Sequence, residues 1–488
     1  MSFVRSCQSI SAKCAMIPAI DNFIKVRRKG ESLGVLGPCR FKDVDTFFNI
    51  ALRNKKHKRI LTPIPVKDGQ KVVAIGDIHA DLLVLLGCLY LLGVVDLAGN
   101  WIGGNTIVVQ CGDLLDRSGR GASVVTDNTR EEVDIVQYLF YLNQVAQSQG
   151  GGFYWVLGNH DLARVLWTYY QGDEIAVEDP DESRMRIQRT PDYRKYIGNQ
   201  HIGWGGTDKM KALFHPGGKM AIYMSMYTTF TLQVGYYVFM HGGLILETIK
   251  AVKKALRITK PRRFFGMVNQ HVARVFIADI PINSAVKSIA WNRTWSKEKE
   301  LKKGEKWEVN KYAITRGIGV TKAERYCTEN MREIFKAVDM DWTNGAFVLG
   351  HSIQNVGIPF YCKGRVWRID MGMSEAFSSG KIPKVIGGLK IFMHPGTDQS
   401  VEVLIVMNYS NPGGADHTDQ FILYVDRKFR RIMVDPLRPD RNNLDYSKVG
   451  AFWQRGIINV EMDLQKQRNA KRKFVGGGEE QKKGRGFR

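Results

Sequence analysis

Six short apolar runs recur between residues 72 and 369, and the first five end in a turn of glycine with aspartate, asparagine or histidine. Short, β-branched runs closed by turn residues are typical of buried strands. Helical patterns separate them, as at residues 81–92 and 131–146. Strands that alternate with helices predict a layered α/β fold. The runs are residues 72–75, 107–109, 153–157, 236–240, 346–349 and 366–369.

The polar turns carry side chains of the types that bind metals. Because sites in α/β sheets form at the carboxyl ends of strands, five such endings would bring these side chains to one edge. Carboxylate, imidazole and amide ligands suit manganese, iron or zinc, and one carboxylate can bridge two ions that share a water. The sequence therefore predicts a two-metal site. The turns are Gly76-Asp77-Ile78-His79, Gly112-Asp113-Leu114-Leu115-Asp116-Arg117, Gly158-Asn159-His160-Asp161, His241-Gly242-Gly243 and Gly350-His351.

In this order the five turns resemble the motifs of the calcineurin-type metallophosphoesterases, and most of all those of the PPP protein serine/threonine phosphatases. Segments 216–218, 238–244, 291–293 and 368–374 are similar to the bacterial-type, Shewanella-like branch of that family. The resemblance covers about residues 71–377, and it departs from the PPP pattern where Asp161 replaces a glutamate. It implies a metallophosphoesterase β-sandwich flanked by helices, with helical cap insertions and added N- and C-terminal segments.

The resemblance also implies the ligands of two divalent metal ions. Manganese is the expected metal, with iron or zinc as alternatives. By resemblance, one carboxylate binds both ions. The first ion would be bound by Asp77, His79 and Asp113, and the second by Asp113, Asn159, His241 and His351.

Four further residues acquire roles from the resemblance. His160 would be the general acid that protonates the leaving alkoxide, and Asp116 would orient it. Arg117 and Arg293 would grip the phosphoryl oxygens, which suits the planar, bidentate guanidinium group. These roles predict a phosphomonoester hydrolase, most simply a protein serine/threonine phosphatase acting through a water activated by two metals.

The pattern changes along the chain divide it into four parts. Residues 1–70 form a basic N-terminal extension, and residues 71–391 form the predicted catalytic domain. This domain has insertions at about 162–235 and 245–345, which are expected to be lids or caps because structureless loops of that size are rare. Residues 392–465 form a C-terminal extension with predicted strands, and residues 466–488 form a basic tail that is expected to be disordered.

The distribution of charge suggests possible binding partners, and the cysteines suggest the cellular compartment. The net charge is +23, with basic clusters near both ends that attract polyanions, so nucleic acid is a candidate partner beside a phosphorylated protein. The chain has seven cysteines and no C-x-x-C pair, which predicts free or buried thiols in a reducing compartment, the cytoplasm or nucleus. The basic, acid-free first 20 residues weakly resemble an organelle transit peptide. Apolar runs long enough to span a membrane are absent from the sequence.

Two alternatives to a protein phosphatase remain open at this point. One is a hydrolase of nucleoside polyphosphates or RNA 5′ ends, resembling the diadenosine tetraphosphatase-like enzymes; Asp161 favours it, whereas Asp116 favours a protein phosphatase. The other is a catalytically silent scaffold that binds polyanions. The presence of every expected ligand argues against the silent scaffold.

Overall fold

The computed structural model describes most of the central part of the chain. For its last two ranges it describes the backbone alone. The described residues are 43–53, 63–96, 98–116, 130–166, 204, 207–295, 322–354, 358, 360–362, 364–374, 385–393, 400–410 and 416–425.

Helices and strands alternate in the described ranges, which confirms the α/β class. The helices are α1 (Val44–Ala51), α2 (Leu82–Leu91), α3 (Arg130–Ser148), α4 (Asn159–Leu166), α5 (Thr207–Phe214), α6 (Lys219–Tyr227), α7 (Leu246–Ala255), α8 (Phe264–Phe276), α9 (Ser284–Trp291) and α10 (Lys322–Val338). The strands are β1 (Gln70–Ile75), β2 (Ile107–Cys111), β3 (Gly152–Val156), β4 (Thr228–Thr229), β5 (Thr231–Val234), β6 (Tyr237–Met240), β7 (Ala346–Leu349), β8 (Phe360–Tyr361), β9 (Val366–Arg368), β10 (Val385–Met393), β11 (Ser400–Ser410) and β12 (Asp416–Val425).

The strands form two mixed sheets that approach each other where β2 meets β6. One sheet has the order β12-β11-β10-β1-β2-β3-β4, and the other has the order β5-β6-β7-β9-β8. Strands β1, β2 and β3 are parallel to each other, as are β6, β7 and β9. The turns after each parallel set therefore lie at one edge of their sheet, where the predicted site residues are found.

Helix α2 shows how the core is built around this edge. Its residues are almost all apolar and buried, which is typical of a helix packed on every side. Asp81 begins the helix, because its carboxylate accepts a hydrogen bond of 3.1 Å from the backbone N–H of Val84. The cap sets the direction of the helix immediately after the first polar turn.

The structure differs from the sequence prediction near residue 235. The first predicted insertion, 162–235, includes helices α5 and α6, but it also includes β4 and β5. Strand β4 pairs with β3, and β5 pairs with β6, so the end of this insertion belongs to the two sheets. Strands this short carry too few residues for an apolar pattern to reveal them. The second insertion, 245–345, is mainly helical where the structure describes it, with helices α7 to α10 separated by turns.

The boundary drawn at residue 391 falls inside a strand. Strand β10 pairs antiparallel with β1, with Ile391 opposite Val72, and β11 and β12 continue the same sheet. The strands predicted after residue 392 are thus confirmed as the outer part of the first sheet. Most of the basic N-terminal extension and the basic tail, with the predicted disorder of that tail, lie outside the described residues.

One pair of cysteines corrects the prediction of free thiols. Cys327 on α10 and Cys362 after β8 form a disulfide, with their Cα atoms 5.3 Å apart. Their spacing of 35 residues gives no signal in the sequence, since only the fold brings them together. Cys88 and Cys111 are free and buried, and burial raises the pKa of the Cys88 thiol to about 12. The other three lie outside the described residues: Cys7, Cys14 and Cys39.

The described helices include none that is both long and apolar enough to cross a membrane.

Candidate active site

The structure gathers the predicted metal ligands at the facing edges of the two sheets. Each lies within a few residues of the end of a strand. All six side chains are buried, with exposed fractions of 6% or less. They are Asp77 and His79 after β1, Asp113 after β2, Asn159 after β3, His241 after β6 and His351 after β7.

The first group of possible ligands is Asp77, His79 and Asp113, whose ligand atoms lie within 4.8 Å of one another. The ring of His79 lies with Nδ1 3.1 Å from the carbonyl oxygen of Asp116, which can only accept a hydrogen bond. Nδ1 therefore carries the proton, and Nε2 faces the Asp113 carboxylate at 3.7 Å. A histidine held in this way presents a lone pair to a metal.

The second group is Asp113, His241 and His351, again within 4.8 Å, with Asn159 beside it. His241 donates from Nδ1 to the carbonyl of Cys111 at 2.9 Å. Its Nε2 faces Asn159 Oδ1 at 2.9 Å and Asp113 Oδ2 at 3.1 Å. Two acceptor oxygens that converge on one ring nitrogen require positive charge between them, as a proton or as a metal ion.

The directions in which the pKa values are shifted also indicate that these buried carboxylates require positive charge nearby. Burial raises the pKa of Asp77 well above its usual value, and the charges of Asp370 and Asp113 raise it further. Burial also raises the pKa of Asp113, but the neighbouring histidines outweigh burial and hold that pKa well below its usual value. Burial and the Arg293 charge lower the pKa of His351, so its ring is neutral and can bind a metal. The donor set fits two divalent ions.

Backbone conformations in the turns are strained. The φ angles of His79, Asp113, Asp116 and His351 are 46°, 51°, 71° and 71°. Non-glycine residues rarely adopt such left-handed values, and they persist only where the surroundings enforce them, typically at functional sites. Glycine next to them is required by space: a Cβ at Gly158 would overlap the Asp113 carboxylate and backbone. The turns after β2 and β3 are therefore in such close contact that position 158 has no room for a side chain.

His160 lies beside the two groups of possible ligands, close to Asp113 and Asp116. Its Nδ1 lies 2.6 Å from Asp116 Oδ2, and its Nε2 lies 3.9 Å from Asp113 Oδ2. The backbone N–H of His160 donates to Asp113 Oδ1 at 2.8 Å. A carboxylate on Nδ1 fixes the ring, and in the imidazolium form its Nε2–H would face the Asp113 carboxylate, which is the geometry of a proton donor beside the reacting centre.

Residues 70–270 match the family of calcineurin-like phosphoesterases. This part of the chain is a calcineurin-like metallophosphoesterase domain. The described strands form two mixed sheets with helices between them in the chain. Phosphoester hydrolysis is the chemistry of the matched family, and the relatives indicate that this chain is a phosphatase enzyme.

Relatives of this metallophosphoesterase include two named protein phosphatases. Shewanella-like protein phosphatase 2 of Arabidopsis thaliana is 25% identical over 349 residues, which are 65% of this chain and 74% of that protein. Shewanella-like protein phosphatase 1 of Plasmodium berghei is 32% identical over 178 residues, 35% of this chain and 42% of that protein. Among solved structures, a cold-active protein-tyrosine phosphatase of a psychrophilic Shewanella species is 17% identical, covers 74% of this chain and 83% of its own, and has a TM-score of 0.36.

The two arginines expected to grip phosphate differ in what the structure shows. Arg117 lies outside the described residues. Arg293 follows α9 and donates from Nη1 to the His351 carbonyl at 3.2 Å and to Ser352 Oγ at 3.3 Å. These contacts place its guanidinium beside a possible ligand of the second metal.

Asp161 has a clear structural role in this metallophosphoesterase. Its carboxylate accepts hydrogen bonds from the backbone N–H groups of Leu114, Leu115 and Gly158, at 3.3, 3.0 and 2.9 Å, and from the Trp155 indole at 3.2 Å. Burial raises the pKa of Asp161 to about 6. Because the side chain ties the turn after β2 to the turn after β3, it acts as a brace.

Asp370 was missed by the sequence analysis. It follows β9, has an exposed fraction of 2%, and its charge raises the pKa of the Asp77 carboxyl. Asp370 Oδ1 also accepts a hydrogen bond of 2.9 Å from the backbone N–H of Gly372. The sequence did contain a signal. Asp370 directly follows the sixth apolar run, residues 366–369, and Asp77 follows the first apolar run after one glycine.

Proposed function

We propose that this enzyme is a protein serine/threonine phosphatase. It removes phosphate from phosphoserine and phosphothreonine side chains, and a water activated by two divalent ions is the nucleophile. The expected ions are manganese, with iron or zinc as alternatives. The proposal is supported most strongly by the contact of 2.6 Å between His160 Nδ1 and Asp116 Oδ2, beside two groups of possible metal ligands.

The leaving group links this contact to the substrate class. Serine and threonine leave as alkoxides, which are strongly basic and need a proton as the ester bond breaks. Asp116 orients the His160 ring so that Nε2 can supply that proton. A nucleoside polyphosphate releases a phosphate or nucleotide group, which leaves readily without one. A buried, carboxylate-oriented imidazole thus favours the alkyl phosphomonoester.

The other residues share the remaining tasks. Asp77, His79 and Asp113 would hold the first ion, and Asp113, Asn159, His241 and His351 the second. Two such ions lower the pKa of a water and stabilise charge on the phosphoryl oxygens. Arg293 and Arg117 would bind those oxygens and orient the phosphoryl group, because the guanidinium fork matches their geometry.

The structure removes one argument for the nucleotide alternative. Asp161 had favoured a diadenosine tetraphosphatase-like enzyme, but its carboxylate is occupied by four N–H donors from the protein. It faces the turns rather than a substrate. The names of the relatives in Arabidopsis and Plasmodium also support a protein substrate.

A side-by-side assay tests the proposal. Purified protein with Mn²⁺ is offered phosphoserine, phosphothreonine and phosphotyrosine peptides, diadenosine tetraphosphate and capped RNA, with Asp113→Asn as the matched inactive preparation. We expect the highest kcat/KM on the phosphoserine and phosphothreonine peptides. A higher kcat/KM on the phosphotyrosine peptide, diadenosine tetraphosphate or capped RNA would overturn the proposal, and near-normal activity in Asp113→Asn would contradict the two-metal chemistry on which the proposal rests.

A further inference from the structure

A second layer of buried side chains, two of them charged, lies behind His160 and Asp116. It consists of Glu132 on α3, Arg164 on α4 and Trp204, in the chain segment between α4 and α5. Their exposed fractions are 2%, 2% and 1%. None of the three belongs to the five polar turns. Charged groups this deeply buried are costly unless they are paired, so the layer calls for a functional account.

Glu132 joins three separate segments of the chain. Its Oε1 accepts a hydrogen bond of 3.0 Å from the backbone N–H of Asp116. Its Oε2 accepts hydrogen bonds of 2.5 Å from Arg164 Nη1 and 2.9 Å from the Trp204 indole N–H. The N–H bond matters for the turn, because Asp116 has a φ of 71° and needs outside support to keep that conformation.

Arg164 makes a further contact with Asp116. Its Nη2 lies 3.5 Å from Asp116 Oδ1, while Asp116 Oδ2 holds His160 Nδ1 at 2.6 Å. Asp116 is therefore fixed at its backbone by Glu132, at one oxygen by Arg164 and at the other by His160. An aspartate that is held at its backbone and at one carboxylate oxygen can use the other oxygen to keep an imidazole ring in one orientation.

The charges of the layer are balanced in a specific way. Arg164 lies between two buried carboxylates, Glu132 and Asp116, and its shorter contact is with Glu132. Without the Glu132 charge, the guanidinium would be free to turn toward Asp116 and compete with His160 for that carboxylate. Glu132 thus keeps Arg164 from weakening the contact between His160 and Asp116.

Aromatic side chains cover this layer. The Trp204 and Phe214 rings meet edge to face at 5.3 Å, and the Arg164 guanidinium lies 5.6 Å from the centre of the Phe214 ring. Water is thereby kept from the charges, which strengthens their interaction.

We propose that Glu132 and Arg164 are positioning residues, which fix Asp116 and through it hold His160 in place as the proton donor. Trp204 supports them by its indole hydrogen bond to Glu132. This inference rests on the proposed role of His160 as the general acid.

The test compares two leaving groups in Glu132→Gln, which keeps the size of the side chain. The amide would set an N–H group, or a weaker uncharged acceptor, against Arg164 and Trp204. We expect kcat on a phosphoserine peptide to fall by about 10-fold to 100-fold, and kcat on nitrophenyl phosphate to fall much less. Bound metal and the unfolding temperature show whether the site and the fold are intact, and the exposed Glu333→Gln is the matched control, with no expected change.

A double mutant separates positioning from a general structural effect. If Glu132 acts through His160, adding Glu132→Gln to His160→Ala should cause little further loss on the phosphoserine peptide. Equal losses on both substrates, or losses that multiply in the double mutant, would overturn the inference. Should Glu132→Gln fail to fold, Trp204→Phe removes the indole hydrogen bond together with part of the buried ring. It should give a smaller loss with the same preference for the phosphoserine peptide, and equal losses would again overturn the inference.

His160→Ala alone distinguishes this inference from the proposed function. If His160→Ala hurts phosphoserine hydrolysis most but Glu132→Gln does not, only the positioning role fails. If His160→Ala lowers both rates equally, the general-acid role itself fails, and the positioning role falls with it.

Discussion

The two sides of the active site are built differently. The metal-facing side takes its residues from the ends of strands in two sheets, as with Asp113 after β2 and His241 after β6. The acid side has His160 on a helix, oriented by Asp116, with Glu132 and Arg164 from helices α3 and α4 behind it. These strand-end residues are held mainly by contacts between the polar turns, such as that of His241 Nδ1 with the Cys111 carbonyl. A proton donor on a helix needs a chain of buried partners to hold its direction.

This difference predicts that damage to the two sides will differ in kind. Substitutions on the metal-facing side should remove the ions together with the activity. Substitutions on the acid side should leave the ions in place and slow only the hydrolysis of substrates whose leaving group needs a proton. The variants below test the contrast, from the largest expected effect to the smallest.

Asp113→Asn should have the largest effect. Its carboxylate belongs to both groups of possible ligands, so the neutral amide would weaken both metal sites. We expect kcat on nitrophenyl phosphate to fall by about 1000-fold or more, about 4 kcal/mol in the barrier. Metal analysis should show less than the wild-type content. Near-normal turnover would end the two-metal account, and the exposed Asp208→Asn serves as control.

His160→Ala should lose the acid and keep the metals. We expect hydrolysis of a phosphoserine peptide to fall by about 100-fold to 10,000-fold, the usual contribution of general acid catalysis. Nitrophenol leaves readily, so its ester should lose much less. Metal content should equal that of the wild type, and a parallel loss of metal would mean that the two sides are not separable.

Arg117→Lys tests whether the Arg117 guanidinium binds the phosphoryl oxygens of the substrate. Lysine keeps the charge but loses the planar fork, so activity should fall by about 10-fold to 100-fold, about 1.4–2.8 kcal/mol. The drop should appear on peptide and aryl esters alike, because both carry the same phosphoryl group. Steady-state kinetics on both esters measures it; full activity would assign Arg117 a structural role.

Asp161→Asn should affect stability more than chemistry. The amide would set an N–H group against one of the N–H donors that the carboxylate now accepts, for example that of Leu115. We expect the free energy of unfolding to fall by about 1–3 kcal/mol in a urea titration. Asp208→Asn again provides the control, and an equal, small change in both variants would show that Asp161 is not a brace.

Sequence predicts the metal-facing side well for a physical reason. Apolar runs and the polar residues that end them are adjacent in the chain, so a local pattern places residues such as Asp77 and His241 at a strand end. The edges of two sheets then bring them together. The α/β class and eight of the strands, including the outer strands β11 and β12, followed from the same local patterns, whereas β4, β5, β8 and β10 did not.

The buried residues behind His160 and Asp116, and the disulfide, depend on contacts that no local pattern contains. Glu132 meets Trp204 across 72 residues, and Cys327 meets Cys362 across 35. Asp370 reaches Asp77 only because β9 joins the second sheet beside β7. Such partners are set by tertiary packing, and a single sequence does not reveal them.

The most direct test of the central claim is the metal content of the site, seen in crystals grown with Mn²⁺ and measured by anomalous scattering. The account predicts two manganese peaks about 3.5–4 Å apart, with the Asp113 carboxylate between them and His160 bound to neither. A single peak, or two peaks that Asp113 does not bridge, would contradict it.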